Sequence, residues 1–349
     1  MVIDAIDPVG TLDRRAYERI GRAFEVEAAL ESYFTGDMIE DVGIYYGMMS
    51  RFASPDFEFD SLDGCSGASK ALIKEHIPFG VTGSFHSLSD YKLLVIPMLG
   101  AEDEDYHRIL DYVKEGGNIY FSGARHPEFL LALMGADLSG YSEYAPVYVA
   151  PKDDYLDIFG EFDSSYPMPF NSHAPLLSDI KNGKVRATFT FPYTKISDSD
   201  FSSIHSNPPG IRTEYPAMVE GNFGRGRFIW SALPIEVPDF DEYRGIFIGA
   251  LRRLLSGEEL SFMTDAPGEV EITLFSGDGE AVMHTVHLVD GSTLPIVSPF
   301  EVRLSLPFEV GRVELLPSGQ SIPFTEDSGR VIFKTEPMHI LSSYRISAK

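Results

Sequence analysis

The stretch that decides the fold is residues 93–121, LLVIPMLGAEDEDYHRILDYVKEGGNIYF. It opens with Leu93 to Pro97, a run of apolar residues typical of a strand buried on both faces. A helix follows, because acidic residues precede it where a helix dipole is positive and apolar residues recur on one face from Tyr106 to Val113. Gly116-Gly117 ends this helix, and Asn118 to Phe121 is the next buried strand. Two buried strands joined by an amphipathic helix indicate a parallel sheet with helices on both sides.

The same alternation extends outward in both directions along the chain. Residues 141–235 are richer in Pro, Tyr and Asp and contain only short β-like runs. We therefore predict one α/β domain over residues 37–257, built on a doubly wound parallel sheet. Its other predicted strands are Asp41–Tyr46, Ile77–Val81, Val185–Phe191 and Gly226–Trp230, and its other predicted helices are Ala68–His76 and Asp241–Leu255.

The two ends of the chain have a different texture. From Glu258 onward, short alternating strands recur every eight to twelve residues, which predicts a small all-β sandwich over residues 258–349. Residues 1–36 read as a short strand, Val2 to Ile6, and a helix from Asp13 to Tyr33. Tyr17, Ile20 and Phe24 share one face of that helix. If this segment closes a preceding barrel, those side chains need cover from a partner subunit or from residues 37–257.

Composition excludes several classes of partner. The 349 residues are 44% hydrophobic and 23% charged, which is ordinary for a globular protein, and 28 basic against 53 acidic residues give a net charge of −25. Such a surface repels nucleic-acid phosphates and anionic lipids, so neither nucleic acid nor a membrane is an expected partner. No apolar run reaches the roughly 18 residues of a membrane span, and no signal peptide is recognisable. A single cysteine, Cys65, forms no internal disulfide, and we predict a cytoplasmic protein.

Cys65 is the first candidate nucleophile. It stands in Asp63-Gly64-Cys65-Ser66-Gly67, which reads as a Gly-rich turn between a strand and a helix. A cysteine in such an elbow is the nucleophile of class I glutamine amidotransferases, whose fold is also doubly wound. Two features oppose that reading: Asp63 stands where the elbow needs a small residue, and Pro55 to Leu62 is too polar for a buried strand. A loop thiol without a catalytic role is the favoured interpretation.

Ser122 is the second candidate nucleophile. By strand order, the elbow should follow Asn118–Phe121, where the sequence continues as Ser122-Gly123-Ala124-Arg125-His126-Pro127-Glu128. Ser122 offers an oxygen nucleophile, and His126 and Glu128 lie near it in sequence. Catalytic triads are assembled in space, however, and not along the chain. We favour the alternative, in which Ser122 ends a strand and Pro127 starts a helix.

Metal and cofactor motifs are not recognisable. His284 and His287 are three apart in a predicted strand, so they point to opposite faces and do not share a metal. Asp4 and Asp7 end a strand, but as active groups they would need a barrel. No metal, cofactor or phosphate loop is predicted. The remaining residues considered are the scattered His76, His86 and His107, and Gly221, Gly224 and Gly226, which read as a β-turn.

The most unusual stretch is residues 203–216, SIHSNPPGIRTEYP. It combines hydrogen-bonding side chains, prolines that rigidify a loop, and an aromatic residue. Loops of this kind recognise sugars or dock on another domain. The alternative is a proline-rich crossover with buried polar groups. The candidate substrate-binding residues are His205, Asn207, Arg212 and Tyr215.

Several phrases together resemble a known group of proteins. They are GTLDRRAYERIG at 10–21, EVEA at 25–28, LLVIP at 93–97, GGN at 116–118, LMG at 133–135, PPG at 208–210, TEYPA at 213–217 and TDAP at 264–267. In this order the sequence resembles the C-terminal region of α-L-fucosidase-like glycoside hydrolases, related in layout to the family 42 β-galactosidases. The resemblance spans nearly the whole chain.

That resemblance implies an accessory role. In the group, a catalytic (β/α)₈ barrel precedes an amidotransferase-like "β-galactosidase trimerisation" domain and a small β domain. The resemblance therefore implies a region without the catalytic acids, which self-associates as a trimer or dimer and acts on carbohydrate only with a barrel domain. Two alternatives stay open. One is an amidotransferase-like hydrolase that uses Cys65 or Ser122, and the other is a carbohydrate-binding scaffold that works without a barrel.

Overall fold

The structure is a computed structural model that describes residues 13–52, 59–84, 86–100, 104–195, 199, 207–288 and 295–349. The predicted strand Val2–Ile6, with Asp4 and Asp7, lies outside them. Within these ranges the α-helices are α1 (Arg14–Leu30), α2 (Ser61–Lys74), α3 (Tyr106–Glu115), α4 (Pro127–Met134), α5 (Leu156–Phe159) and α6 (Asp241–Leu254). No described helix is long and apolar enough to span a lipid bilayer.

The strands fall along the whole described chain. They are β1 (Asp37–Met38), β2 (Val42–Tyr45), β3 (Phe79–Thr82), β4 (Leu93–Pro97), β5 (Asn118–Ser122), β6 (Asp137–Tyr141), β7 (Val147–Pro151), β8 (Met168–Phe170), β9 (Pro175–Ser178), β10 (Lys184–Pro192), β11 (Pro209–Phe223), β12 (Gly226–Ser231), β13 (Phe262–Thr264), β14 (Val270–Gly277), β15 (Glu280–His287), β16 (Glu301–Leu304), β17 (Val310–Leu316), β18 (Gln320–Ser321), β19 (Phe324–Asp327), β20 (Arg330–Lys334) and β21 (Leu341–Ala348).

The chain divides into two compact units. Glu40–Leu260 forms the larger one, and Ser261–Lys349 joins the described part of Met1–Ile39 to form the smaller one. The N-terminal segment belongs to the smaller unit because β1 pairs with β14 and Leu30 clusters with two residues of the later strands. The domain boundaries given above, 1–36, 37–257 and 258–349, stay predictions.

The larger unit contains a nine-stranded sheet in the order β3-β2-β4-β5-β12-β11-β10-β7-β8. The first five strands are parallel, in an order that numbers 2-1-3-4-5 along the chain. Because β-α-β crossovers are right-handed, α2 and α6 cover one face and α3 and α4 cover the other. The contacts agree, since α2 contacts α6, and α3 contacts α4. The predicted α/β character is confirmed.

The other half of this sheet corrects the prediction, because β11, β10, β7 and β8 are antiparallel. The physical reason is a tight turn between β11 and β12. Gly224 has a φ of +60° there, and a Cβ added to it would lie 2.5 Å from the Lys114 carbonyl oxygen. A two-residue connection joins only antiparallel neighbours. Of the glycines predicted to form a β-turn, Gly224 lies in the turn, whereas Gly221 and Gly226 lie in the two strands that it joins. The sheet is therefore mixed.

The smaller unit consists of two antiparallel sheets that share one apolar core. The sheets have the orders β1-β14-β15-β21-β17-β18 and β13-β16-β20-β19. Their alternating strands point apolar side chains inward, as expected for sheets that face each other. The fully buried core side chains include Val270, Met283, Val302, Val313 and Tyr344. This arrangement is compatible with the predicted sandwich.

Helix α1 is largely uncovered. Asp13 caps it by accepting a hydrogen bond from the Arg15 backbone N–H, and Leu30 is its buried residue. Tyr17 is 39% exposed and Phe24 is 57% exposed, so the apolar face predicted from the sequence meets solvent. Cover of these side chains by a partner subunit stays a prediction.

Candidate functional site

The parallel strands of the larger unit end at one edge, which is where ligands bind in open α/β sheets. Tyr45, Pro97, Ser122 and Ser231 are the last residues of β2, β4, β5 and β12. The candidate nucleophile Ser122 therefore occupies the edge at which chemistry would be expected. What surrounds it decides whether this edge is an active site.

Ser122 belongs to a buried hydrogen-bonded cluster with Glu236 and Tyr120. The Ser122 hydroxyl donates to Glu236 Oε1, and the Tyr120 hydroxyl donates to Glu236 Oε2 at 2.9 Å. Glu236 follows β12 and is 4% exposed, while Ser122 is 2% exposed and Tyr120 is wholly buried. A buried carboxylate is tolerated when donors satisfy its oxygens, and both oxygens have one here.

Burial makes this carboxyl group a proton acceptor near neutral pH. Loss of hydration raises the pKa of Glu236 to about 7, and the hydrogen bonds from Ser122 and Tyr120 offset only part of that rise. Burial, together with the nearby Glu236, also raises the pKa of Tyr120 well above its usual value. Ser122 thus has a potential base beside it, as a nucleophile requires.

Access to the cluster is closed by helix α2. A Cβ on Gly67 would lie 2.1 Å from the Glu236 carbonyl oxygen, and a Cβ on Gly64 would lie 2.4 Å from Pro97 Cβ. Glycines at these positions let the helix backbone approach the sheet edge directly. The Ser122 hydroxyl is therefore covered by backbone, and the geometry indicates a structural cluster.

The same helix corrects the interpretation of Cys65. The predicted turn Asp63-Gly64-Cys65-Ser66-Gly67 lies inside α2, which starts at Ser61 and not at Ala68. Asp60 accepts hydrogen bonds from the Leu62 and Asp63 N–H groups, and the Asp63 carboxylate accepts from the Asp60 N–H, so a capping box begins the helix early. The Cys65 thiol is buried, 3.9 Å from the Tyr45 carbonyl oxygen. It is not in an elbow.

His126 and Glu128 have other roles than a triad with Ser122. His126 Nδ1 accepts the Phe129 N–H at 3.1 Å and caps α4, where Pro127 occupies the first turn. Glu128 accepts the Tyr106 hydroxyl at 3.2 Å. The alternative in which Ser122 ends a strand and Pro127 starts a helix is confirmed. Glu236 is not among the candidates identified from the sequence. Its only sequence signal is that it is an acidic residue shortly after the buried strand β12.

Histidines and acids in the described ranges do not form a metal site of three or more ligands. His284 Nδ1 is 2.8 Å from Ser343 Oγ, and His287 Nδ1 is 3.0 Å from the His339 carbonyl oxygen. The two residues occupy positions three apart in β15, on opposite faces of the strand. His287 is accounted for by this local hydrogen bond, whereas His284 stacks on Phe34 and its buried Nε2 has no hydrogen-bond partner among the described residues.

The described part of the stretch 203–216, residues 207–216, is mostly a strand and not a loop. His205 lies outside the described residues, whereas Pro209–Phe223 is β11 and pairs with β10. Asn207 stands just before the strand and binds one residue twice: its Oδ1 accepts the Thr194 N–H at 3.1 Å, and its Nδ2 donates to the Thr194 carbonyl at 2.8 Å. The Asn207 amide is thus occupied by the backbone.

Replacing Asn207 tests this assignment. Asn207→Ala is expected to lower the free energy of unfolding by about 1–2 kcal/mol, because two backbone groups of Thr194 lose their partner. Urea denaturation followed by circular dichroism measures the change. An unchanged unfolding midpoint would show that the Asn207 amide does not stabilise the strand ends.

Arg212 and Tyr215, which both belong to β11, have different surroundings. Arg212 Nη2 donates to the Ser164 carbonyl at 3.3 Å. Tyr215 instead lines a groove of about 600 Å³ together with the segment Leu177–Ile180 and Val185. The structure thus gives Arg212 and Tyr215 different neighbours, and Tyr215 faces a cavity.

Comparisons with known proteins show a likeness of fold. No family model and no curated protein matches this sequence. An α-L-fucosidase isoenzyme 2 from Paenibacillus thiaminolyticus matches over 99% of this chain and 54% of its own, with 21% identity and a TM-score of 0.79. A catalytic mutant of the GH42 β-galactosidase Gan42B from G. stearothermophilus matches over 98% and 45%, with 13% identity and a TM-score of 0.65. A β-galactosidase from Bacillus circulans sp. alkalophilus matches over 98% and 47%, with 15% identity and a TM-score of 0.62.

These matches confirm the expected resemblance at the level of fold. Both units of this chain are covered, in one alignment with each structure. The chain spans about half the length of each of these proteins. The likeness therefore concerns one region of those glycoside hydrolases.

Proposed function

We propose that this chain is an accessory, non-catalytic region of a glycoside hydrolase of the α-L-fucosidase-like or β-galactosidase group. The observation that carries the proposal is the alignment of 99% of this chain with 54% of an α-L-fucosidase. Similar shares of β-galactosidases support it. Turnover of carbohydrate would then need a catalytic barrel domain, which this chain does not supply.

The sheet edge supports the inert part of this proposal. A parallel order of 2-1-3-4-5 is one of the common doubly wound orders, and an amidotransferase-like ancestry of the larger unit is part of what we propose. At the position where such an enzyme needs a reachable nucleophile, Ser122 is buried beneath α2 and donates a hydrogen bond to Glu236. Cys65 is buried in a helix. We place the protein in the cytoplasm, where a lone cysteine stays reduced.

Self-association through α1 is the second part of the proposal. The α1 face, defined as Tyr17 and Phe24, is 39% and 57% exposed at these two residues. Burying this face between copies of the chain would stabilise the oligomer by about 25 cal/mol for each Å² of apolar surface removed from water. A dimer or trimer is therefore the expected state in solution.

Light scattering tests the association. The expected molar mass is two or three times the 38.7 kDa of one chain. The double variant Tyr17→Ser/Phe24→Ser is expected to shift the protein to monomer, because the burial gained on association is lost. Phe240→Ser is the matched control, since Phe240 is 63% exposed on the larger unit. A monomeric wild type, or an oligomer unaffected by the double variant, would contradict this role for α1.

A carbohydrate-binding scaffold is the second candidate function. The observation that favours it is the groove beside Tyr215, which offers an aromatic ring and carboxylates to a ligand. In this reading the chain contributes binding and not bond cleavage.

A further inference from the structure

The groove beside Tyr215 has an apolar floor. It lies between the turn after β9 and the first half of β11, and its volume is about 600 Å³, within the usual range for ligand sites. Leu177 and Pro216 are buried at its base, and Val185 is half-buried beside them. Apolar side chains of this kind favour contact with the C–H groups of a ligand, because both apolar surfaces are then removed from water.

A β-bulge in β11 places Tyr215 in the lining of this groove. Thr188 pairs with Pro216 and Thr190 pairs with Arg212, so β11 contains two more residues than β10 across this interval. The Thr213 hydroxyl fixes the bulge, because it donates to the Phe189 carbonyl at 2.7 Å and accepts the Tyr215 N–H at 3.2 Å. Bulges re-aim side chains next to functional sites.

The Tyr215 ring is held and yet reachable. Its centroid lies 6.3 Å from that of Phe191, which stacks on Tyr144 at 4.9 Å. Tyr215 remains 39% exposed, so part of its ring is available to a ligand. An anchored aromatic ring offers contact area at a small cost in conformational entropy.

Two carboxylates stand at the rim. Asp179 follows β9 with a φ of +55°, and Glu214 precedes Tyr215 in the bulge. Both side chains are exposed, and neither makes a hydrogen bond or ion pair with the described part of the chain. Each offers acceptor oxygens for a ligand's O–H groups. Ser178, which accepts from the Ser139 hydroxyl, adds a further polar group.

We propose that this groove binds a pyranose ring of a neutral oligosaccharide. The C–H face of the sugar lies on Tyr215 and the apolar floor, and its hydroxyls donate to Asp179 and Glu214. An aromatic ring with carboxylate acceptors matches the two faces of a sugar, since one face is apolar and the rim is rich in donors. The choice of sugar rests on the proposed function, which associates this chain with glycoside hydrolases.

Saturation-transfer NMR and calorimetry test the site on the full chain. The probes are methyl β-D-galactoside, L-fucose and lactose, with choline chloride as a cationic competitor for the carboxylates. Saturable binding of at least one sugar is expected. Tyr215→Ala is expected to weaken that binding at least tenfold, and Glu214→Gln is expected to weaken it several-fold. Tyr193→Ala is the matched control, because Tyr193 is 76% exposed outside the groove lining, and it should leave binding unchanged.

Each other outcome overturns the proposal. These outcomes are no saturable sugar binding, equal binding by Tyr215→Ala and wild type, or binding of choline alone. Loss of the oligomer in Tyr215→Ala would assign the groove to contacts between copies instead. Circular dichroism of each variant establishes that it is folded, and Glu214→Gln is a second, exposed change should Tyr215→Ala fail to fold. Turnover measured on the same samples tests the proposed function separately, because hydrolysis would refute the inert role while leaving the binding result intact.

Discussion

Raising the pH from about 4.5 to about 8 is expected to lower the free energy of unfolding by about 3 kcal/mol through Glu236 alone. Burial raises the pKa of this carboxyl group to about 7, so the folded protein holds a proton that the unfolded chain releases near pH 4.5. The stabilisation is complete below the unfolded pKa and is lost as the pH rises through the folded pKa. Glu236→Gln carries no titrating proton and is expected to remove this dependence.

Urea denaturation at several pH values, for wild type and Glu236→Gln in parallel, measures the effect. The difference between the two profiles is the relevant quantity, because other groups titrate as well. Burial lowers the pKa of His284, for example, so its contribution to stability increases with pH and has the opposite sign. Parallel profiles for the two proteins would contradict the assignment of a buried, proton-binding Glu236.

Ser122→Ala extends the same test. The hydrogen bond that Ser122 donates lowers the pKa of Glu236, so its removal is expected to raise that pKa further. The fall in stability should then extend to higher pH than in wild type. A shift to lower pH would show that Ser122 does not act as a donor to the carboxylate.

Gly67→Ala is expected to lower the free energy of unfolding by about 3 kcal/mol, against a gain of about 0.5–1 kcal/mol for Gly245→Ala. Both glycines lie inside helices, where alanine is intrinsically the better residue. Gly245 has no atom within 4 Å of an added Cβ. At Gly67 the added Cβ would lie 2.1 Å from the Glu236 carbonyl oxygen, which is backbone and does not move aside easily.

Chemical denaturation of the two variants gives the comparison directly. Opposite signs would establish that α2 is seated on the Glu236 backbone as the structure has it. If Gly67→Ala were as stable as Gly245→Ala, the helix would not seal the cluster, and the argument that Ser122 is inaccessible would fail with it.

The buried parallel strands could be predicted because each is a run of apolar residues. Leu93–Pro97 and Asn118–Phe121 needed no knowledge of their neighbours to be recognised. The start of α2 was missed because two glycines lower helix propensity and give the sequence the look of a turn. The reason for those glycines is contact with Pro97 and Glu236, which are distant in sequence. Close approaches of this kind are visible only in the folded chain.

The prolines in the first half of β11 disfavour a strand, so the sequence predicts a loop there. Within β11, only Met218–Phe223 pairs with β12, so residues 209–216 have a partner strand on one side and form an edge that tolerates proline. Tyr215 stays a predicted site residue, and its setting depends on a β-bulge that only the strand register reveals. Glu236 meets Ser122 across 114 positions of sequence, a pairing that no local pattern indicates.

Turnover of aryl glycosides by the purified chain tests the central claim most directly. With 4-nitrophenyl α-L-fucoside and 4-nitrophenyl β-D-galactoside, we expect release of nitrophenol at the rate of buffer alone, for wild type, Ser122→Ala and Cys65→Ala alike. Release that rises in proportion to protein concentration would contradict a non-catalytic region. Its loss in Ser122→Ala or Cys65→Ala would further identify the nucleophile and restore the hydrolase alternative.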